Sequence, residues 1–326
     1  MLWSLPLPTH TAYALSDPKS PITYFGGKAR IADQIVDLFP SHTHYVEVCG
    51  GGLSVLLAKP PSRQETVNDL DESLITFWRV LRDRHDDLER VMTLTPHSRA
   101  ERELAWTITD DLDELEVARR VAVALTQGRA GSRTSTGWRY DAGPETPTMP
   151  VRLRRYAGRI APAAARLADV SLECRPAVDV VRAYGVHRTS LLYVDPPYDV
   201  DRSSSYAVDM TGADHAELID AALASDAAVV VSGYAGGLWD RRLTDAGWYR
   251  HEITATTSQS GALQQRTEVV WSNRVSSHGT PVRDETQAAP TRCPACTAII
   301  RQPRTGRRRR WCSVACRNVG YRAQRT

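Results

Sequence analysis

The chain has 326 residues, 24% charged and 42% hydrophobic, with six cysteines and a formal net charge of +3. That composition supports one large globular domain and a small one and argues against wholesale disorder, and no apolar run reaches the roughly 18 residues that span a bilayer, so no membrane partner is expected. The charge is uneven: residues 291–326 hold ten arginines and no acidic residue, which leaves 31 basic against 38 acidic side chains before them, a net of −7.

Residues 1–20 read as a leader without the basic and apolar regions of a signal peptide, which predicts a cytoplasmic chain with cysteines as thiols or metal ligands. From Pro21 to about Arg274, strand-like and helix-like segments alternate, the pattern of an α/β sheet. "THYVEVCG" (43–50) and "RQETVNDL" (63–70) read as strands, as do "LLYVDPPY" (191–198), "DAAVVVSGY" (226–234) and "RTEVVWSN" (266–273). After the second strand, Leu70, Leu74, Phe77 and Leu81 recur at helical spacing in one stretch reaching Met92. A further helix is expected from about Arg99 to Gln127, ending near Gly128. Residues 128–150, rich in Gly, Ser, Thr and Pro, form a long loop of the kind that is functional or disordered. Residues 276–290 read as a linker to a module at 291–326.

Three motifs in the body carry chemistry. Gly50, Gly51 and Gly52 follow a strand and precede a helix, where glycine lets the backbone approach a ligand or simply makes a tight turn. Asp69 and Asp71 lie about 20 residues further on, where an acid holds a ribose diol in nucleoside-binding folds. With Asn68, Asp69 is equally placed to cap the next helix. In "DPPY", Asp195 and a carbonyl of Pro196 can hold an exocyclic amine by two hydrogen bonds. The proline stiffens the turn and Tyr198 offers a face on which a base can stack.

"DPPY" downstream of a glycine motif, with "ITYFGGKARI" (22–31) ahead of it, resembles the Dam-like (D12 class) DNA adenine-N6 methyltransferases. The motif order, and the later "VVVSGY" and "RTEVVWSN", are similar to that family over Pro21–Asn273. The resemblance implies a Rossmann-like class I methyltransferase sheet across 21–275, with a helical target-recognition insertion at 72–165. It implies S-adenosylmethionine as cofactor and double-stranded DNA as partner, with adenine flipped out and methylated at N6. A restriction endonuclease partner and a bacterial or phage origin are compatible with it. By position, Tyr24, Gly26, Gly27 and Lys28 match residues near the methionine end of the cofactor, and Glu47, Gly50 and Gly51 match the glycine motif. Asp69 matches the ribose-binding acid, while Asp195, Pro196 and Tyr198 match the target-amine site, Asp195 also bordering the cofactor. The chain departs from the family pattern at Val48 and Cys49, where Pro-Phe is usual, and at Leu53, where a glycine is common. Arg129, Arg133, Trp138 and Arg139 in the 128–150 loop are candidates for phosphate and base contacts.

The tail has Cys293 and Cys296, then fifteen residues, then Cys312 and Cys316, a spacing that signals structural zinc. Arg307, Arg308, Arg309 and Arg310 lie between the pairs as a dense positive edge for DNA; docking to a protein is the rival role. Cys49 and Cys174 read as buried and inert, and His42 and His44 as surface residues. Two other functions stay open: methylation of RNA or of cytosine N4, since "DPPY" fits any presented amine, and an inactive DNA-binding protein acting through its zinc tail.

Overall fold

A computed structural model describes residues 18–131, 137–140, 147–197, 210–259 and 262–276, together with Cys293, Cys296, Ser313 and Cys316. The chain divides into two compact units, Met1–Thr280 and Pro281–Thr326.

The first unit is built on a seven-stranded sheet with the order β3-β2-β1-β4-β5-β7-β6. Its strands are β1 (His44–Glu47), β2 (Gln64–Asn68), β3 (Val170–Glu173), β4 (Ser190–Val194), β5 (Ala228–Gly233), β6 (Tyr249–Gln259) and β7 (Ala262–Ser272). The first five run parallel, and β7 enters antiparallel between β5 and β6. This is the Rossmann-like α/β architecture expected from the sequence. The central strands are apolar throughout because both faces are covered. Alternate residues serve opposite layers: Tyr45, Leu191, Tyr193 and Val230 join one cluster, and Val46, Leu192, Val194 and Val229 the other.

The first layer includes α1 (Ala32–Val36), α2 (Ser54–Ala58), α3 (Glu72–Asp83) and α8 (Ile160–Leu167). The second holds α9 (Ala177–Gly185), α10 (Gly212–Leu223) and α11 (Leu238–Asp245). Between β2 and β3 the helices α4 (His85–Leu94), α5 (Arg99–Leu104), α6 (Glu114–Gln127) and α7 (Met149–Ala157) complete the helical segment. None of the described helices is long and apolar enough to cross a membrane.

Several local expectations change. The single helix expected to reach Met92 breaks at Arg84, where His85 starts α4 with Asp86 and Asp87 in its first turn. Acidic side chains there favour a helix N-terminus. Leu70 precedes α3 and is 46% exposed, so only Leu74, Phe77 and Leu81 of that series are core. The helix is capped by Asp71, which accepts from the Ser73 and Leu74 amides, not by Asn68 or Asp69. The helix expected over 99–127 is two, because Asp113 caps a new start by accepting from Leu115 and Glu116. β3 and β6 were not foreseen: β3 has four residues, and β6 is a polar edge strand, as exposed edges commonly are. His42 and His44 are half-buried rather than surface groups, with ring nitrogens bonded to Pro40 O and Ser62 Oγ, and to Thr66 Oγ1, respectively. Cys174 is exposed, contrary to its expected burial.

The β1–α2 turn shapes everything at this end of the sheet. Leu53 adopts a left-handed conformation (φ 51°), which explains why glycine suits the position, yet its side chain is buried. Left-handed backbone costs a leucine about 1–2 kcal/mol. Deleting a buried leucine side chain costs about 2–5 kcal/mol, so burial outweighs the strain. Leu53→Gly is therefore expected to lower stability by about 2 kcal/mol, read as a reduced urea midpoint at unchanged m; a stabilised variant would show that strain dominates.

Candidate active site

Open α/β sheets place ligands at the carboxyl ends of their strands where the strand order reverses. Here that point lies between β1 and β4, and a cavity of about 360 Å³ opens there. Its wall joins six sequence segments: Tyr24–Lys28, Glu47–Gly52, Asn68–Asp71, Arg175–Val178, the Asp195–Pro197 corner, and Met210, Asp214, Glu217 and Leu218 at the start and on one side of α10. The volume is in the usual range for a small-molecule site.

The glycine turn is tied down from both sides. The Gly50 amide donates to Asn68 O at 2.8 Å, and the Gly51 amide donates to Asp69 Oδ2 at 2.8 Å. The Trp78 indole N–H donates to Gly51 O. Gly51 has φ +50°, and a Cβ there would sit 2.7 Å from the Tyr24 ring, so the aromatic packs directly on bare backbone. Asp69 Oδ1 accepts from the Asp71 amide, so both oxygens are oriented by the main chain and held as acceptors. Asn68 braces the far wall: its amide group donates to Val48 O and Arg175 O, and its oxygen accepts from the Arg175 amide.

At the other end, Asp195 leaves β4 with its side chain 18% exposed. Lys28 reaches it from the N-terminal strap, its Nζ 2.8 Å from each carboxylate oxygen, while also donating to Gly26 O at 2.9 Å. Glu268 from β7 lies 3.5 Å from the same ammonium. Burial alone would lower the Lys28 pKa, but the two carboxylates outweigh it and raise the value above the usual lysine range. Ser232 Oγ donates to Asp195 Oδ1 at 3.0 Å and is itself bonded to the Tyr193 hydroxyl. Pro196 is buried, and Pro197 lines the cavity. Tyr198 lies outside the described residues.

Glu47 is fully enclosed, and its Oε2 accepts from the Tyr45 hydroxyl and the Leu56 amide. It thus staples β1 to α2. Burial is the main cause that pushes its pKa up to about 8, with nearby Asp195 adding to the rise. Cys49 lines the cavity, and burial pushes its thiol well above the ordinary range, with Asp69 and Asp195 contributing.

The structure therefore brings Tyr24, Gly26, Gly27, Lys28, Glu47, Gly50, Gly51, Asp69 and Asp195 together around one cavity. Ser232, Tyr193, Asn68 and Glu268 were not assigned roles in the site from sequence. Ser232 and Glu268 fall within "VVVSGY" and "RTEVVWSN", so their motifs were visible while their roles were not.

The start of the 128–150 loop is anchored to the same strap. Phe25 N donates to Gly131 O at 2.9 Å, and Gly131 (φ +63°) leaves no room for a Cβ against Thr23 and Tyr24. Trp138 bridges back to Gly128, with His97 stacked on it at 4.3 Å and the Arg99 guanidinium 4.4 Å from its centroid. Arg129 is exposed and lies over the exposed Tyr140 ring, while Arg139 is half-buried and its amide donates to Gln127 O. Arg133 lies outside the described residues. In the second unit, the Cys293, Cys296 and Cys316 sulfurs lie within 4.8 Å of one another. Cys312 and Arg307, Arg308, Arg309 and Arg310 lie outside the described residues.

Residues 24–126 match the family described as D12 class N6 adenine-specific DNA methyltransferase. No curated protein matches the chain. Among solved structures it is similar to a precorrin-6y C5,15-methyltransferase from Geobacter metallireducens, at 9% identity and TM-score 0.32, over 75% of this chain and 85% of that one. It is also similar to SMU.1697c, a putative methyltransferase from Streptococcus mutans solved with SAH, at 7% identity and TM-score 0.33, over 76% and 97%.

The Glu47 environment has a measurable consequence. Its folded pKa of about 8 lies well above the ordinary glutamate value of 4.5. The folded state thus holds an extra proton between those values, and this contribution is full below the lower one and lost as pH rises through the upper. Stability is expected to fall by about 1 kcal/mol per pH unit across that window. Glu47→Gln keeps the acceptor oxygen and removes the titration, so its melting temperature should gain on wild type steadily from pH 5 to pH 8. A constant difference would disprove the assignment.

Proposed function

We propose that this protein is an S-adenosylmethionine-dependent DNA adenine-N6 methyltransferase with a zinc-binding C-terminal module. The observation that carries the reading is Asp195: a buried-edge carboxylate at the end of β4, oriented by Ser232, that already holds one amine, the ammonium of Lys28. It opens onto a cavity whose other end presents the oriented oxygens of Asp69. The family match at 24–126 supports methyl transfer to adenine in DNA.

The cavity fits the cofactor in size and in chemistry. Tyr24 packs on the bare Gly51 and Gly52 backbone within the same wall that carries Asp69 and Asp195. Asp69 would accept from the ribose diol, and Lys28 and the strap glycines would border the methionine end. When bound, S-adenosylmethionine supplies an electrophilic methyl on its sulfonium. The protein's task is positioning and electrostatics rather than covalent catalysis. Asp195 accepts an N–H of the target amine and orients the nitrogen lone pair. The Pro196–Pro197 corner limits the approach. Flipping the base out of a duplex costs roughly a few kcal/mol, and Arg129, Trp138, Arg139 and the rest of the 128–150 loop are assigned to holding the DNA around it.

The sulfur cluster fits a zinc ion. Zn–S bonds of about 2.3 Å in a tetrahedron require sulfurs about 3.8 Å apart. Cys296 and Cys316 sulfurs are 3.6 Å apart, and Cys312 is assigned as the fourth ligand. A module of this size has too little core to fold unaided, so metal would supply most of its stability.

Labelled methyl should pass from S-adenosylmethionine into mixed-sequence duplex DNA and be recovered as N6-methyladenine after digestion to nucleosides. Asp195→Ala should lower that transfer at least about a hundredfold. N4-methylcytosine, or methyl in RNA alone, would replace the substrate; no transfer to either would leave a DNA-binding protein. Changing Cys293 and Cys312 to serine should remove zinc, measured by metal analysis, and weaken DNA binding. Turnover at saturating DNA should survive, whereas loss of cofactor binding would place the module inside the catalytic fold.

A further inference from the structure

Lys28 occupies the acceptor that the target amine needs. Its side chain is only 6% exposed. A neutral amine can take its place at Asp195, but it cannot take over the compensation of the lysine's charge. A buried ammonium left without a carboxylate is strongly disfavoured, so displacement requires a second carboxylate already within reach. Among the described residues that group is Glu268.

The sheet register explains its presence. β5 pairs with β7 so that Ser232 faces Val270 and Gly233 faces Val269. Glu268 is two residues from Val270, which belongs to the same layer as Tyr193 and Val230, so it projects to that face. It is buried to 7% exposure at the point where β5 ends beside Asp195. It lines a second cavity that shares the Tyr24–Lys28 strap, together with Tyr234, and is not part of the wall of the first. At 3.5 Å from Nζ, against 2.8 Å for Asp195, it attracts the ammonium without yet being its closest carboxylate.

We propose that Glu268 is a second seat for the Lys28 ammonium: when the target amine takes Asp195, Lys28 shifts onto Glu268 and stays neutralised. Glu268 is then a positioning residue for the reaction, acting through Lys28. This rests on the amine-methylating reading above. No bond to carbon changes in the shift, and no proton is transferred.

Two measurements test it. The first is the acetylation rate of Lys28 by acetic anhydride, mapped by mass spectrometry in wild type, Asp195→Asn, Glu268→Gln and the double variant. Either carboxylate alone should keep Lys28 protected, and the double variant should acetylate at least tenfold faster. The proposal is overturned if Asp195→Asn alone is as reactive as the double variant, or if the double variant is as protected as wild type. The second is kinetic. Glu268→Gln should raise the KM for DNA about tenfold with cofactor affinity unchanged, and Glu268→Asp should recover most of that loss. A Gln variant with wild-type KM, or one that loses cofactor affinity equally, would sink the idea. If the wild type methylates no nucleic acid, the functional reading fails by itself, while the protection pattern still decides where Lys28 can sit.

Discussion

The bond between Lys28 and Asp195 is the contact on which the site depends. It joins residues 167 positions apart, one in the N-terminal strap and one at the end of β4. Taking such a pair out of water costs several kcal/mol per ion, and the attraction repays it only when further groups complete the geometry. Here Gly26 O and Glu268 attend the ammonium and Ser232 attends the carboxylate. The pair is weak evidence for stability and good evidence for register: it fixes where the strap crosses the sheet. Because Phe25 N is bonded to Gly131 O, that crossing also fixes where the 128–150 loop begins.

The rest of the cavity follows from fitting backbone against side chain. At Gly51 a Cβ would fall 2.7 Å from the Tyr24 ring, and at Gly50 it would press on Asn68 O at 3.2 Å and on the Leu53 side chain. Bare backbone at this turn lets its amides be spent on Asn68 and Asp69, which carries the order of β1 and β2 into the cavity wall. The buried Glu47 is a different kind of acid from Asp69 or Asp195. It is sequestered by Tyr45 and Leu56, and burial holds its pKa up at about 8, whereas Asp69 and Asp195 are oriented by hydrogen bonds toward the cavity.

What the sequence made legible were the features written in short-range pattern. Apolar runs gave the central strands, and the glycine turn, Asp69 and the strap residues fell where spacing put them. What it hid was decided by distance in sequence. β3 and the polar edge strand β6 carry too little periodicity to stand out. Leu70 fits a helical repeat but precedes the cap at Asp71, so it faces solvent. Ser232 and Glu268 are ordinary strand residues until the pairing of β5 with β7 carries them to Asp195. Trp138 could be read as a free aromatic until His97 and Arg99, some forty residues earlier, were seen to pack against it.

An acceptor already filled by the protein's own amine sets a threshold for any ligand. A molecule without a donor cannot replace what Asp195 would lose, because a carboxylate only 18% exposed that gives up its ammonium partner, with Ser232 still bonded to it, is left poorly compensated. A molecule with an amine can replace it, but only when the rest of the ligand supplies enough binding to move Lys28. Free nucleosides offer the same amine as a base held in DNA, with far less additional contact. Under the proposed function, selectivity for a base delivered by a larger partner arises from competition at Asp195 rather than from any contact that reads the base alone.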